Sequence, residues 1–142
     1  MSQNLDHELR CDNLITPQDV ASATEVSTNT GGYLSMENYR KGLVIISAHL
    51  GAAATATAQL TCSTAATEAG KADVSGFTVT LTGDEGGSDE YDCIAFDVSD
   101  LDIANSKYFV GVDVTTDNNG DDVSAVLVRG AARYYAGSSM PS

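Results

Sequence analysis

Tryptophan is absent and aromatic residues make up only 6% of the chain, so the large rigid anchors of many cores and sugar platforms are scarce. Bases are few as well: seven Lys and Arg stand against twenty Asp and Glu, a formal charge of −13. Direct nucleic-acid binding replaces counterions with clustered Lys and Arg, and these scattered bases form no such patch. No apolar run nears the ~20 residues that span a bilayer; the longest aliphatic run is Leu43-Val44-Ile45-Ile46. The start, Met1 to Arg10, lacks the basic opening and apolar stretch of a signal peptide, so no membrane partner is expected. The three cysteines, Cys11, Cys62 and Cys93, show neither a CxxC pair nor zinc spacing. Their odd number favours free, buried thiols. A Cys62–Cys93 disulfide is the other option, since Cys62 closes one alternating stretch and Cys93 opens another.

What is present is β-forming. A chain of 142 residues fits one domain, and its Ala, Thr, Val and Gly suit a thin two-sheet stack. Tyr33 to Lys41 leads through Gly42 into Leu43–Ile46, whose four consecutive aliphatics read as a strand buried on both faces and the first of the domain. Ala54 to Ser63 alternates small apolar with polar residues, as does Phe77 to Thr82. Cys93–Val98, Lys107–Thr115 and Val123–Arg133 complete the set, with Leu101 expected to plug the end of the core. Asn119-Gly120 lies between the last two and is a strong type I′ hairpin signal. The fold class expected is all-β: an antiparallel β-sandwich or jelly-roll-like domain over residues 33–136. Ahead of it, residues 1–32 are polar and sparsely apolar, and read as an extended arm or linker; residues 137–142 are a short tail. Thr16-Pro17 resembles a helix start. The arm is either disordered or ordered by a partner through isolated aliphatics, Leu5, Leu9, Leu14, Ile15, Val20 and Val26.

The acids are unevenly placed. From Asp84 to Asp122 the single base is Lys107, so one end or face should be strongly acidic. Its plain reading is a solvated surface. The loops Gly83–Tyr91 and Thr116–Asp122 are then expected to point to solvent, because unpaired buried carboxylates cost several kcal/mol each. Asp117, Asp121 and Asp122 are weak candidates for a hard cation, but the EF-hand spacing and distal Glu are missing and turn chemistry explains them. No cofactor is expected. His7 and His49 stand without a nucleophile motif, and the glycines near Gly83 lack the setting of a phosphate loop, so no enzymatic activity is expected.

Tyr33-Leu-Ser-Met-Glu-Asn-Tyr-Arg40 followed by Leu43-Val-Ile-Ile-Ser-Ala48 resembles the opening of a family of small tailed-bacteriophage virion proteins encoded beside the major capsid gene. The Ala/Thr-rich stretch Ala54–Cys62, the strand at Lys107–Val114 and the close Val126-Leu-Val-Arg-Gly-Ala-Ala-Arg-Tyr-Tyr135 share that pattern, so the likeness spans about Tyr33 to Ala136. Ser35 stands where the family carries an acid. The resemblance implies a head decoration, or cement, protein: made in the host cytoplasm, bound to the capsid exterior, and fastening neighbouring capsomers. Its partners would be the major capsid protein and copies of itself, as a trimer first and a dimer next. Contacts with shell or subunits would fall on the arm aliphatics and on Tyr33, Tyr39, Arg40, Arg133, Tyr134 and Tyr135, since Tyr and Arg are enriched in interface cores. The alternatives are a head-fibre or carbohydrate-binding module, or a tail or head-completion component.

Overall fold

The computed structural model describes residues 9–20, 25–29, 31–118 and 121–132. Strands account for 67% of the described residues. They are β1 Leu9–Val20, β2 Glu25–Ser27, β3 Leu34–Ser35, β4 Tyr39–Leu50, β5 Thr55–Ser63, β6 Ala72–Thr82, β7 Ser88–Asp97, β8 Phe109–Thr116 and β9 Asp121–Ala132. One sheet runs β1-β9-β4-β7; the other runs β2-β8-β5-β6, with β3 on β8 beside β2. Every ladder is antiparallel. The expected antiparallel β-sandwich is therefore the fold.

Period-two alternation builds the core. Val44, Ile46, Ala48 and Leu50 of β4 point inward beside Val123, Ala125 and Leu127 of β9 and Ile94 and Phe96 of β7. Ala56, Ala58, Leu60 and Cys62 of β5 join Val110, Val112 and Val114 of β8 to form the opposing layer. Each large aliphatic so buried contributes roughly 1.5–3 kcal/mol. Gly42 has a steric reason: any side chain there would strike the Phe96 ring. Leu101 closes the end of the core from between two 3₁₀ turns, Val98–Asp100 and Ile103–Asn105. The first turn is fixed by a capping box. Asp97 Oδ1 accepts the Ser99 amide at 3.0 Å, and Asp100 Oδ2 accepts the Asp97 amide at 2.7 Å.

Three expectations are corrected. Leu9–Val20 is no arm and holds no helix: it is β1, paired along β9, and Leu14, Ile15 and Val20 lie in the core. Register shifts between Asn13 and Ile15 and between Ile15 and Gln18 break its two-residue period, which hides the strand in the sequence. Nor do the strands flanking Asn119-Gly120 pair as a hairpin: β8 and β9 belong to different sheets, while Asn119 and Gly120 themselves lie outside the described residues. Nor is the Leu43–Ile46 run covered on both faces: Val44 and Ile46 are buried, whereas Leu43 and Ile45 are only half-buried on the outside.

The segment before β4 straps the outside of the second sheet. Tyr33 lies flat against Gly111, where any side chain would meet its ring, and its hydroxyl is 3.2 Å from Thr61 Oγ1. Burial pushes the Tyr33 hydroxyl above its ordinary pKa. Beside it, Lys71 reaches the nearly buried Asp113 at 2.7 Å. Burial works against the Lys71 charge, but the hydrogen bond and charge of Asp113 outweigh it and raise the ammonium above its usual value.

Candidate interaction surface

The residues left over from the core on the four-stranded sheet define its outer face. Register sets Cys11, Val128, Leu43 and Ala95 in one row and Asn13, Val126, Ile45 and Cys93 in the next. Neither row carries a charge. Leu43, Ile45, Val126 and Val128 are half-buried, while Cys11, Asn13, Ala95 and Cys93 are exposed. An antiparallel sheet with one solvated face normally alternates apolar with polar residues. β4 and β9 do not: their centres are apolar on both sides.

Two hollows lie on this face. A groove of about 660 Å³ is lined by Leu9, Leu43, Phe77, Ala95 and Val128, with Lys41 and Asp97 also at its wall. Lys41 pairs with Asp97 at 2.7 Å. That hydrogen bond, with those from Ser99, holds the Asp97 carboxyl well below the usual carboxylate range. A second hollow of about 290 Å³ lies at the far end, among Pro17, His49, Asp89, Tyr91, Asp122 and Ser124. Tyr91 is 76% exposed there. His49 Nδ1 stands 2.6 Å from Asp89 Oδ1, and this bond raises the imidazole pKa above its ordinary 6.5.

The described bases, but not the acids, are confined to one end of the strands: Asp12, Asp97, Asp100 and Asp102 lie among them, which leaves that end near neutral and the other acidic. Asp19, Asp84, Glu85, Asp89, Asp117, Asp121 and Asp122 sit at or beside the end where β4–β5, β6–β7 and β8–β9 connect. Arg10, Arg40, Lys41, Lys71, Lys107 and Arg129 lie toward the opposite end. One acidic end is what the sequence implied.

The contact residues named from sequence divide three ways. Leu14, Ile15, Val20, Tyr33 and Tyr39 are buried in this chain's own sandwich, so they offer no surface to a shell. Leu9 is 43% exposed and lines the groove, Arg40 is exposed, and Val26 is half-buried on β2. Leu5, Arg133, Tyr134 and Tyr135 lie outside the described residues. Sequence reasoning missed Leu43, Ile45, Val126 and Val128 as surface residues. The unalternated runs Leu43–Ile46 and Ala125–Val128 carried that signal.

The acidic carboxylates serve the turns. Asp117 Oδ1 accepts the Thr55 amide at 2.7 Å and Oδ2 the Thr55 hydroxyl at 2.8 Å, which holds its pKa below the ordinary value. Asp121 Oδ1 accepts Gly51 N–H at 2.9 Å and Asn118 Nδ2 at 3.0 Å, and its buried Oδ2 has no hydrogen-bond partner among the described residues. Asp122 is exposed on the sheet's outer face. No group of three or more His, Cys, Asp or Glu side chains among the described residues is placed to hold a metal ion. All three cysteines are free. The expectation of buried thiols holds for Cys62 and fails for Cys11 and Cys93, which are exposed; Cys62 and Cys93 lie in different sheets and form no disulfide.

No family model matches the sequence, and no curated protein matches it. Solved structures do match. The PBSX exported protein XepA aligns with all of this chain at TM-score 0.53 and 12% identity, the match taking in 43% of that chain. A chain of infectious bursal disease virus, Gx strain, aligns at TM-score 0.53 and 8% identity over 90% of this chain and 33% of its own length. A Clostridium thermocellum xylanase 10B structure (CBM22-1 and GH10 modules, complexed with xylohexaose) gives TM-score 0.47 at 14% identity, covering 90% of this chain and 27% of that one. This chain thus spans less than half the length of these structures. At such identities the likeness is one of fold, the two-sheet β-sandwich.

Proposed function

We propose that this chain is a structural virion protein of a tailed phage that sits on the outside of the capsid, bridges neighbouring capsomers and performs no catalysis. The observation that carries the reading is the uncharged apolar face of β4 and β9, a surface built to be covered. The short motifs from Tyr33 to Arg40 and Val126 to Tyr135 resemble such proteins, and one of the matching folds comes from a virus structure. With its charged ends included, the whole outer face is about 19 Å across four strands and about 27 Å from Lys41 to His49, or roughly 500 Å². A standard stable interface buries about 800 Å² per partner. One copy therefore binds weakly, and linked contacts on a repeating shell supply the strength. The test is copy number: purified particles should carry this chain in amounts near those of the shell subunit, and its absence, or a few copies per particle, contradicts the reading. A carbohydrate-binding or head-fibre role is the second reading, favoured by the exposed Tyr91 beside Asp89 and Asp122. Saturable binding of a glycan that moves the Tyr91 resonances would select it.

A further inference from the structure

Taking this face as a docking surface, as proposed above, we infer the chemistry of what covers it: an apolar segment ending in basic side chains, laid along β4 and β9 with its basic end over Asp89 and Asp122. The rows through Val128 and Leu43 and through Val126 and Ile45 hold no charge, so the body of the partner must be apolar to gain from covering them. The two ends of the face differ. At one end Lys41 is already matched by Asp97 at 2.7 Å. At the other, Asp19, Asp122, His49 and Asp89 share one row, so three carboxylates face a single imidazole, with Asp121 and Glu90 nearby. Covering that row with an apolar or acidic end would strip water from carboxylates without compensation. A Lys or Arg supplies the missing charge, and the exposed Tyr91 ring beside it offers a face for the cation. The spacing is set by the strands: from Leu43 to His49 is about 20 Å, so some six extended residues separate the apolar anchor from the basic end.

The probes are three synthetic peptides added to the full chain: six Val/Thr/Ile residues ending in two arginines, the same six ending in two glutamates, and a Ser/Gly peptide ending in two arginines. Binding is followed by NMR at Leu43, Val126, Val128 and Tyr91. The first peptide should bind at least ten-fold tighter than either of the others at 0.02 M salt, shifting all four residues. Its advantage over the glutamate peptide should shrink toward parity at 1 M salt, where the Debye length falls to about 3 Å. The combined substitutions Asp19→Asn, Asp89→Asn and Asp122→Asn should remove that advantage while leaving the weak apolar binding. Equal binding by the two apolar peptides overturns the inference. So does equal binding by the Ser/Gly peptide, which would reduce the effect to general attraction by an acidic protein. These outcomes are independent of particle copy number: a chain absent from virions loses the capsid role, whereas indifferent peptides remove only the partner chemistry.

Discussion

Arg129 and Asp12 lock the edge of one sheet to the rest of the sandwich. The guanidinium donates from Nη2 to Asp12 Oδ2 on β1 at 2.8 Å and from Nη1 to the Ser35 carbonyl of β3, in the other sheet, at 2.8 Å. It also lies 4.8 Å from the centroid of the Tyr39 ring, and its buried Nε has no hydrogen-bond partner among the described residues. One side chain on β9 thus ties together both sheets and the edge strand. Removing Asp12 leaves a buried cation incompletely matched, and such losses cost about 3 kcal/mol or more. Asp12→Asn should lower the unfolding free energy by about that amount and speed amide exchange along β1 more than along β4. Uniform exchange across both strands would show that the pair does not fasten the edge.

Gly111 gives a second expectation. A methyl group there collides with the Tyr33 ring, so Gly111→Ala should lift the strap and break the 3.2 Å contact with Thr61. Overpacking of this kind costs about 1–3 kcal/mol. Denaturant unfolding measures the loss. Adding Tyr33→Ser should restore room but not stability, because the ring's own burial is gone.

Thiol reactivity checks the placement of the cysteines. Cys11 and Cys93 are exposed on the outer face, and Cys62 is inside. A native sample should titrate two thiols quickly with a small aromatic disulfide and the third only on unfolding. Slow reaction of Cys93 would place it in an interior.

The Lys41–Asp97 pair sets a pH dependence. Its hydrogen bonds lower the folded pKa of Asp97 below the ordinary 3.8, so the contribution to stability is present above that value and lost as pH falls through the folded pKa. Asp97→Asn should be less stable than the parent at pH 7, and the gap should close as pH drops below about 4. The group is open to solvent, so the gap is small and shrinks in salt. A gap that stays the same from pH 7 down to pH 2 would assign the loss to packing instead.

How much of this was legible in the sequence depended on period. β5, β8 and the later halves of β6 and β7 alternate, and their inward residues could be named in advance; residues 72–76 and 88–91 read as connections although they are strand and Val74 is buried. β1 could not be: bulges around Ile15 place Leu14 and Ile15, adjacent in sequence, both in the core. Tyr33 and Tyr39 looked like interface residues because aromatics favour interfaces, yet the strap and the Arg129 stack bury them at home. Asn119-Gly120 carried a local turn preference, but no local preference reveals that the flanking strands serve different sheets. The outer face was half legible: the run Leu43–Ile46 showed that both sides of β4 are apolar, and only the sheet order shows that one side lacks a cover.

The central claim, that this face meets the shell, is tested most directly by the affinity of a double variant, Leu43→Ser with Val128→Ser, for undecorated heads. Both side chains are half-exposed, so the sandwich should fold with little change in melting temperature. Losing two apolar contacts of about 1–1.5 kcal/mol each should weaken co-sedimentation with the heads about 100-fold. A folded double variant that co-sediments as the parent does would contradict the account.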